Sequence, residues 1–195
     1  AAHKYYPNLV VVHIDAHTDT YRSDSNQDYM RYNVATTFTR AAEEGLIDVA
    51  ASMHVGPRGP TNDDTVFDYT RDVGFKLVDG YELFETGLTN TANSVVSDLH
   101  GRDVYLCFDM DFFDPSCAPG VCTPTWGGAS AREGLGFLQA LSGLNVVGAD
   151  INTVSPPHDV GGMTAFLAGT VALEILTLFC HAKGLIPDNS QPACS

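Results

Sequence analysis

Residues Leu9–Ile14 read LVVVHI, a largely β-branched apolar run without the apolar–polar alternation of a half-exposed strand. Such a run suits a strand covered on both faces, the environment of a parallel sheet between helical layers. Asp103–Phe108 (DVYLCF) and Leu144–Ala149 (LNVVGA) have the same character, and Ala50–Val55 and Phe75–Val78 read as weaker or shorter strands. Helical pattern separates them. Thr36–Glu44 is helical with Gly45 as its stop, followed by Asn62–Asp72, Asn90–Leu99, Ala129–Leu141 with Ser130 as its cap, and Gly162–His181. Strands alternating with helices imply right-handed βαβ units: an α/β chain, three-layer α/β/α, with a mostly parallel sheet. Ligands of such sheets bind beyond the carboxyl ends of the strands, so the informative residues should stand just after the apolar runs.

They do. The first run passes directly into Asp15-Ala16-His17-Thr18-Asp19, and DVYLCF passes into Asp109-Met110-Asp111. While the chain stays extended, alternate side chains share a face, so Asp15, His17 and Asp19 converge, as do Asp109 and Asp111. Four carboxylates and one imidazole around a point would repel strongly unless divalent cations neutralised them. An oxygen-rich donor set with little nitrogen suits Mn²⁺, with Ni²⁺ as the alternative. Either cluster alone is an ordinary loop or cap motif; two at strand ends point to a metal centre. Asp114, directly before Pro115, reads as a turn cap instead of a ligand.

Composition narrows the partners. Acidic residues outnumber basic ones 24 to 10 in the 195 residues, a net charge of −14, which disfavours nucleic acid. Five cysteines with no CxxC pair read as free thiols of a reducing, cytoplasmic setting. The apolar stretch Met163 to Cys180 contains Glu174 and three threonines, and is expected to be a buried helix, not a membrane span.

HIDAHTDTY and FDMDFFDPSCAPGVCTPTWGG resemble the two signatures of the ureohydrolase (arginase/agmatinase) family. AAEEGLID followed by HVGPRG, and the late VSPPHD, agree with that family in order and spacing. The resemblance implies an arginase-like fold, a single domain over residues 1–195 forming the C-terminal two-thirds of the family domain, and two divalent metal ions per site. It implies hydrolysis of a guanidino C–N bond by metal-bound hydroxide, with urea released. Asp15, His17, Asp19, Asp109 and Asp111 are then the metal ligands, and Asp15 and Asp111 flank the reacting oxygen. A further metal-binding His is expected in a GGDH-type segment upstream of the first signature, before the position at which this sequence begins.

Several positions depart from the family pattern. Val34 and Ala35 stand where many relatives have a His-Gly pair used in proton transfer; His54 is the candidate substitute, with a packed, hydrogen-bonded histidine as the alternative reading. Thr153 replaces the Glu that pairs with a guanidinium, removing a charge-assisted contact. Trp126 and His158 also differ from the usual residues. With Asn152, these changes look like the branch acting on free guanidine or small alkylated guanidines, biguanides included. Agmatine or a guanidino acid is the alternative substrate, formimino compounds are a third possibility, and a non-catalytic subunit of a heteromer is a competing reading. The family resemblance also implies a homo-oligomer, trimer or hexamer.

Overall fold

The structure, a computed structural model, describes residues 1–22 and 31–186. Five parallel strands form one sheet in the order β3-β2-β1-β4-β5: β1 (Val10–Ile14), β2 (Met53–Val55), β3 (Lys76–Val78), β4 (Asp103–Asp109) and β5 (Asn145–Asn152). The chain lays down β1 to β3 towards one edge and returns to place β4 and β5 on the other side of β1. Strand order therefore reverses between β1 and β4, and the crevice beyond their carboxyl ends is the position where such sheets bind ligands.

The apolar run of β1 is buried at every position, and its side chains divide between two layers. Val10, Val12 and Ile14 join the larger core, with Leu83, Val95, Leu99, Phe137 and Leu138. Val11 joins a smaller cluster with Phe38 and Phe75 on the opposite face. Each fully buried Val or Ile contributes about 1.5–3 kcal/mol. Alternation across a two-sided strand is what makes three layers. The smaller cluster is closed by α1 (Thr37–Glu43) and α2 (Val66–Val73), and the larger by α3 (Gly80–Thr86), α4 (Leu88–Asp98), α5 (Ala131–Ala140) and α6 (Met163–Ala182).

Local signals match several of these boundaries. Ser130 caps α5 in a full capping box with Glu133, and Gly45 takes φ +63° just past α1. Two expectations need correction. Residues 80–86 are helical, capped by the Asp79 carboxylate accepting the Glu82 N–H, where the sequence pattern placed no helix. The final helix is not buried: Val171, Ile175 and Leu178 face the core while Phe166, Leu173 and Leu176 are exposed. No described element covers that outer side, and α6 is long and apolar enough to cross a membrane by length and composition. Cys107, Cys117, Cys122 and Cys180 are free thiols; Cys194 lies outside the described residues.

Candidate metal centre

The segments leaving β1 and β4 meet at the strand-order reversal. Asp15, Asp109 and Asp111 are buried, whereas His17 and Asp19 are partly exposed, so the cluster opens to solvent on the His17–Asp19 side. His17 Nδ1 lies 3.2 Å from Asp15 Oδ1 and 3.5 Å from Asp111 Oδ2. Two backbone amides hold the carboxylates: Asp15 Oδ1 accepts the His17 N–H at 2.8 Å, and Asp111 Oδ1 accepts the Ala16 N–H at 3.4 Å. Thr123 adds a hydroxyl 3.2 Å from Asp111 Oδ2. Asp19 turns into the cluster from a left-handed backbone, φ +47°, which an aspartate tolerates better than most residues.

Two donor sets emerge that share one carboxylate. Asp15, His17 and Asp111 form one, and His13, Asp15 and Asp19 the other, each with donor atoms within 4.8 Å of one another. His13 also groups with Cys107 and Asp109. The structure thus brings together all five residues singled out from the sequence. Asp114 stands apart: its carboxylate accepts the N–H groups of Ser116, Gly127 and Gly128, a turn-capping role.

His13 is the residue that sequence reasoning passed over as strand filler. One strand period before Asp15, it projects to the same face, and that spacing was the available signal. Its Nε2 lies 3.0 Å from Asp15 Oδ2 and 3.2 Å from Asp109 Oδ2. Its Nδ1 lies 2.9 Å from His54 Nδ1, and His54 Nε2 lies 3.2 Å from Thr20 Oγ1. Thr20 has one hydroxyl proton and directs it to the Thr18 carbonyl at 2.9 Å. It can therefore only accept from His54, whose Nδ1 then accepts from His13. His13 donates from both nitrogens, an imidazolium between two carboxylates, while His54 is neutral.

The electrostatics agree. Burial would lower the pKa of His13, but the charge of Asp15 and hydrogen bonds to Asp109 and Asp15 raise it well above its ordinary value. His54 is lowered well below the ordinary value by burial and then by the His13 charge. Burial opposes protonation of His17 too, yet hydrogen bonds to Asp111 and Asp15 raise it to about 10. Burial pushes Asp19 up to about 7, with the charges of Asp15 and Asp109 adding to it. Asp111 rises to about 7 through burial and the Asp15 charge. Asp15 moves the other way, well below the carboxylate range, because His13 outweighs its burial. In the metal-free protein, protons offset the negative charge that cations would otherwise neutralise.

The remaining sequence candidates are placed differently. His54 is buried, packed against Phe38 and Phe75 and separated from the carboxylates by His13. That is the setting of the packed, hydrogen-bonded histidine and not of a group facing substrate. The Thr153 hydroxyl is already used: it accepts the Met110 N–H and donates to the Asn152 carbonyl. Asn152 directs its amide to Asp150 and to the Cys107 sulfur. His158 is exposed and paired with Ser155, and Trp126, 73% exposed, lines a shallow cleft with Arg58, Tyr81 and Phe84. Asn152 and Thr153 adjoin, the Thr153 hydroxyl donating to the Asn152 carbonyl, while the Trp126 indole faces outward.

A family profile for arginases matches residues 1–178. The chain belongs to the arginase family. This arginase-family chain is 38% identical over 176 residues to proclavaminate amidinohydrolase of Streptomyces clavuligerus, covering 89% of this chain and 55% of that protein. It is 36% identical over 181 residues to the agmatinase of Escherichia coli O7:K1, covering 93% and 55%. Among solved structures, the S. clavuligerus proclavaminate amidinohydrolase superposes with a TM-score of 0.84 at 37% identity, covering 92% of this chain and 58% of that one. The arginase of Bacillus caldovelox gives a TM-score of 0.76 at 26% identity, covering 90% and 62%. Both bear out the arginase-like α/β/α fold. The chain spans about half the length of the curated relatives it matches.

Proposed function

We propose that the natural protein is an amidinohydrolase, cleaving a guanidino C–N bond to release urea at a two-metal centre held by Asp15, His17, Asp19, Asp109 and Asp111. The observation that carries this is the pair of donor sets sharing Asp15 in the crevice between β1 and β4, with Asp109 beside them on the far side of His13 Nε2, 3.2 Å away. The donors fit divalent cations. They are oxygen-rich and largely buried, and burial with mutual repulsion drives Asp19 and Asp111 up to about 7, a strain that positive charge relieves. Manganese or nickel suits such a set. When bound, two such ions supply a water acidified towards neutral pH and polarise the substrate.

The chain's own residues provide the setting. Asp15 and Asp111, fixed by the His17 and Ala16 amides, orient the centre, and the partly exposed His17 and Asp19 mark its mouth. Free guanidine or a small alkylated guanidine or biguanide is the favoured substrate, because Thr153 brings no charge to pair with a guanidinium and its one hydroxyl proton already goes to the Asn152 carbonyl. Agmatine is the second reading, favoured by the similarity to agmatinases. A cytoplasmic homo-oligomer, trimer or hexamer, belongs to the same proposal.

Urea release by the natural protein loaded with manganese or nickel tests this, across guanidine, methylguanidine, a biguanide, guanidinobutyrate and agmatine. Turnover of the small guanidines above agmatine is expected. Preference for agmatine would replace the substrate assignment, and no urea from any of them would overturn the reading.

A further inference from the structure

Arg58 lies in the Gly56-Pro57-Arg58-Gly59 segment that follows β2, and its guanidinium is spent entirely on backbone carbonyls. Nη2 donates to Asp111 O and to Thr125 O, both at 2.8 Å, with Phe113 O at 3.4 Å. Nη1 donates to Gly56 O and Nε to Trp126 O, each at 3.3 Å. The backbone N–H of Arg58 donates to Ala16 O at 2.9 Å. Among the described residues no carboxylate forms an ion pair with it.

Those partners have a pattern. Ala16 lies between Asp15 and His17; Asp111 is itself in the donor set; Thr125 holds its hydroxyl 3.5 Å from His17 Nε2. One residue thus ties together the three segments around the Asp15–His17–Asp111 set. It makes no contact of this kind with His13, Asp19 or Asp109. The space for it is kept clear: a Cβ on Gly128 would stand 2.3 Å from Nη2, and one on Gly80 would stand 2.9 Å from the Arg58 Cβ. A planar fork with donors in fixed directions can meet carbonyls from separate loops at once, which the point charge of a lysine cannot do.

We infer that Arg58 is a positioning residue for one half of the metal centre, setting His17 and Asp111, the two donors that belong to one set only, while leaving His13 and Asp19 of the other set unaffected. The inference rests on the two-metal reading above. Partners one step removed from the ligands typically change metal affinity by about 10- to 100-fold, and here that loss should fall on one ion only.

The test is a manganese titration of the metal-free natural protein, followed by calorimetry and by the spin resonance of bound ion, for wild type, Arg58→Lys, Arg58→Met and Gly80→Ala. Gly80→Ala crowds the Arg58 side chain, its new methyl 2.9 Å from the Arg58 Cβ and 3.5 Å from the Gly56 carbonyl, without removing the charge, so the inference stays testable if Arg58→Met does not fold. The expected result is two binding steps in wild type, with one weakened about 10- to 100-fold in the variants and the other within about threefold. Equal weakening of both steps, tracking a fall in Tm, would make Arg58 merely structural, and unchanged steps would remove its role altogether. A wild type that binds no manganese or nickel would instead refute the two-metal reading, and the Arg58 inference with it.

Discussion

The Thr153 hydroxyl accepts the backbone N–H of Met110 at 2.9 Å, pinning the residue that separates Asp109 from Asp111. It does so from φ +66°, a left-handed conformation that a β-branched residue rarely adopts, with a cost on the order of 1–3 kcal/mol. The Thr153 carbonyl is held as well, accepting the Cys122 N–H at 3.1 Å. Thr153→Val removes the acceptor and orphans a buried N–H, which costs about 1–3 kcal/mol. Urea denaturation should show that loss, while Thr153→Ser stays within about 1 kcal/mol of wild type. Equal stability of the valine and serine variants would contradict the latch.

Two glycines of α5 should respond in opposite directions to the same change. A Cβ on Gly134 would meet Phe113 at 2.2 Å, whereas one on Gly136 meets nothing within 4 Å. Gly134→Ala should lose about 1–3 kcal/mol through overpacking. Gly136→Ala should gain up to about 1 kcal/mol from helix propensity. Thermal unfolding of the two variants side by side checks both signs.

The sequence signals that succeeded were those in which a short stretch meets its own partners. LVVVHI needs only burial on two faces to become β1, and Ser130 finds Glu133 within one helical turn. Asp15 and Asp111 could be paired because each follows a buried strand, and strand order does the rest. What stayed hidden depended on neighbours distant in sequence. The spacing of His13 to Asp15 was legible, but its second carboxylate, Asp109, arrives from 96 positions later on the adjacent strand. The latch role of Thr153 requires Met110, 43 positions away. The exposure of Phe166 and Leu173 depends on which elements cover α6, and no local pattern specifies that. The helix over 80–86 was missed because Leu83 is its one fully buried large side chain, leaving little periodicity to read.

Metal-free protein should become less stable as pH rises above about 6.5. The folded-state pKa of His17 is raised to about 10. Its contribution is therefore complete below the unfolded value near 6.5 and is lost as pH climbs through 10. Asp19 and Asp111, raised to about 7, bind more protons folded than unfolded and act in the same direction up to that pH. His54 and Asp15 are lowered, so their opposing contributions fall below pH 6.5. Because cations must displace these protons, the gain in Tm on adding Mn²⁺ should be larger at pH 8.5 than at pH 6.5. A gain that shrinks as pH rises would contradict the assignment.

If His54 serves His13 and not the substrate, His54→Gln should lower stability by about 1–3 kcal/mol through the His13 and Thr20 hydrogen bonds. The shape of the pH–rate profile for urea release should not change. A limb lost or displaced in the variant would restore His54 as the proton carrier.

The central claim is that Asp15, His17, Asp19, Asp109 and Asp111 hold two divalent ions. Metal content of the natural protein, measured by mass spectrometry after equilibration with manganese or nickel and removal of free ion, tests it most directly. Two ions per chain are expected in wild type, falling to one or fewer in Asp15→Asn, because Asp15 is common to both donor sets. Fewer than one ion per wild-type chain, or an undiminished two in Asp15→Asn, would contradict the account.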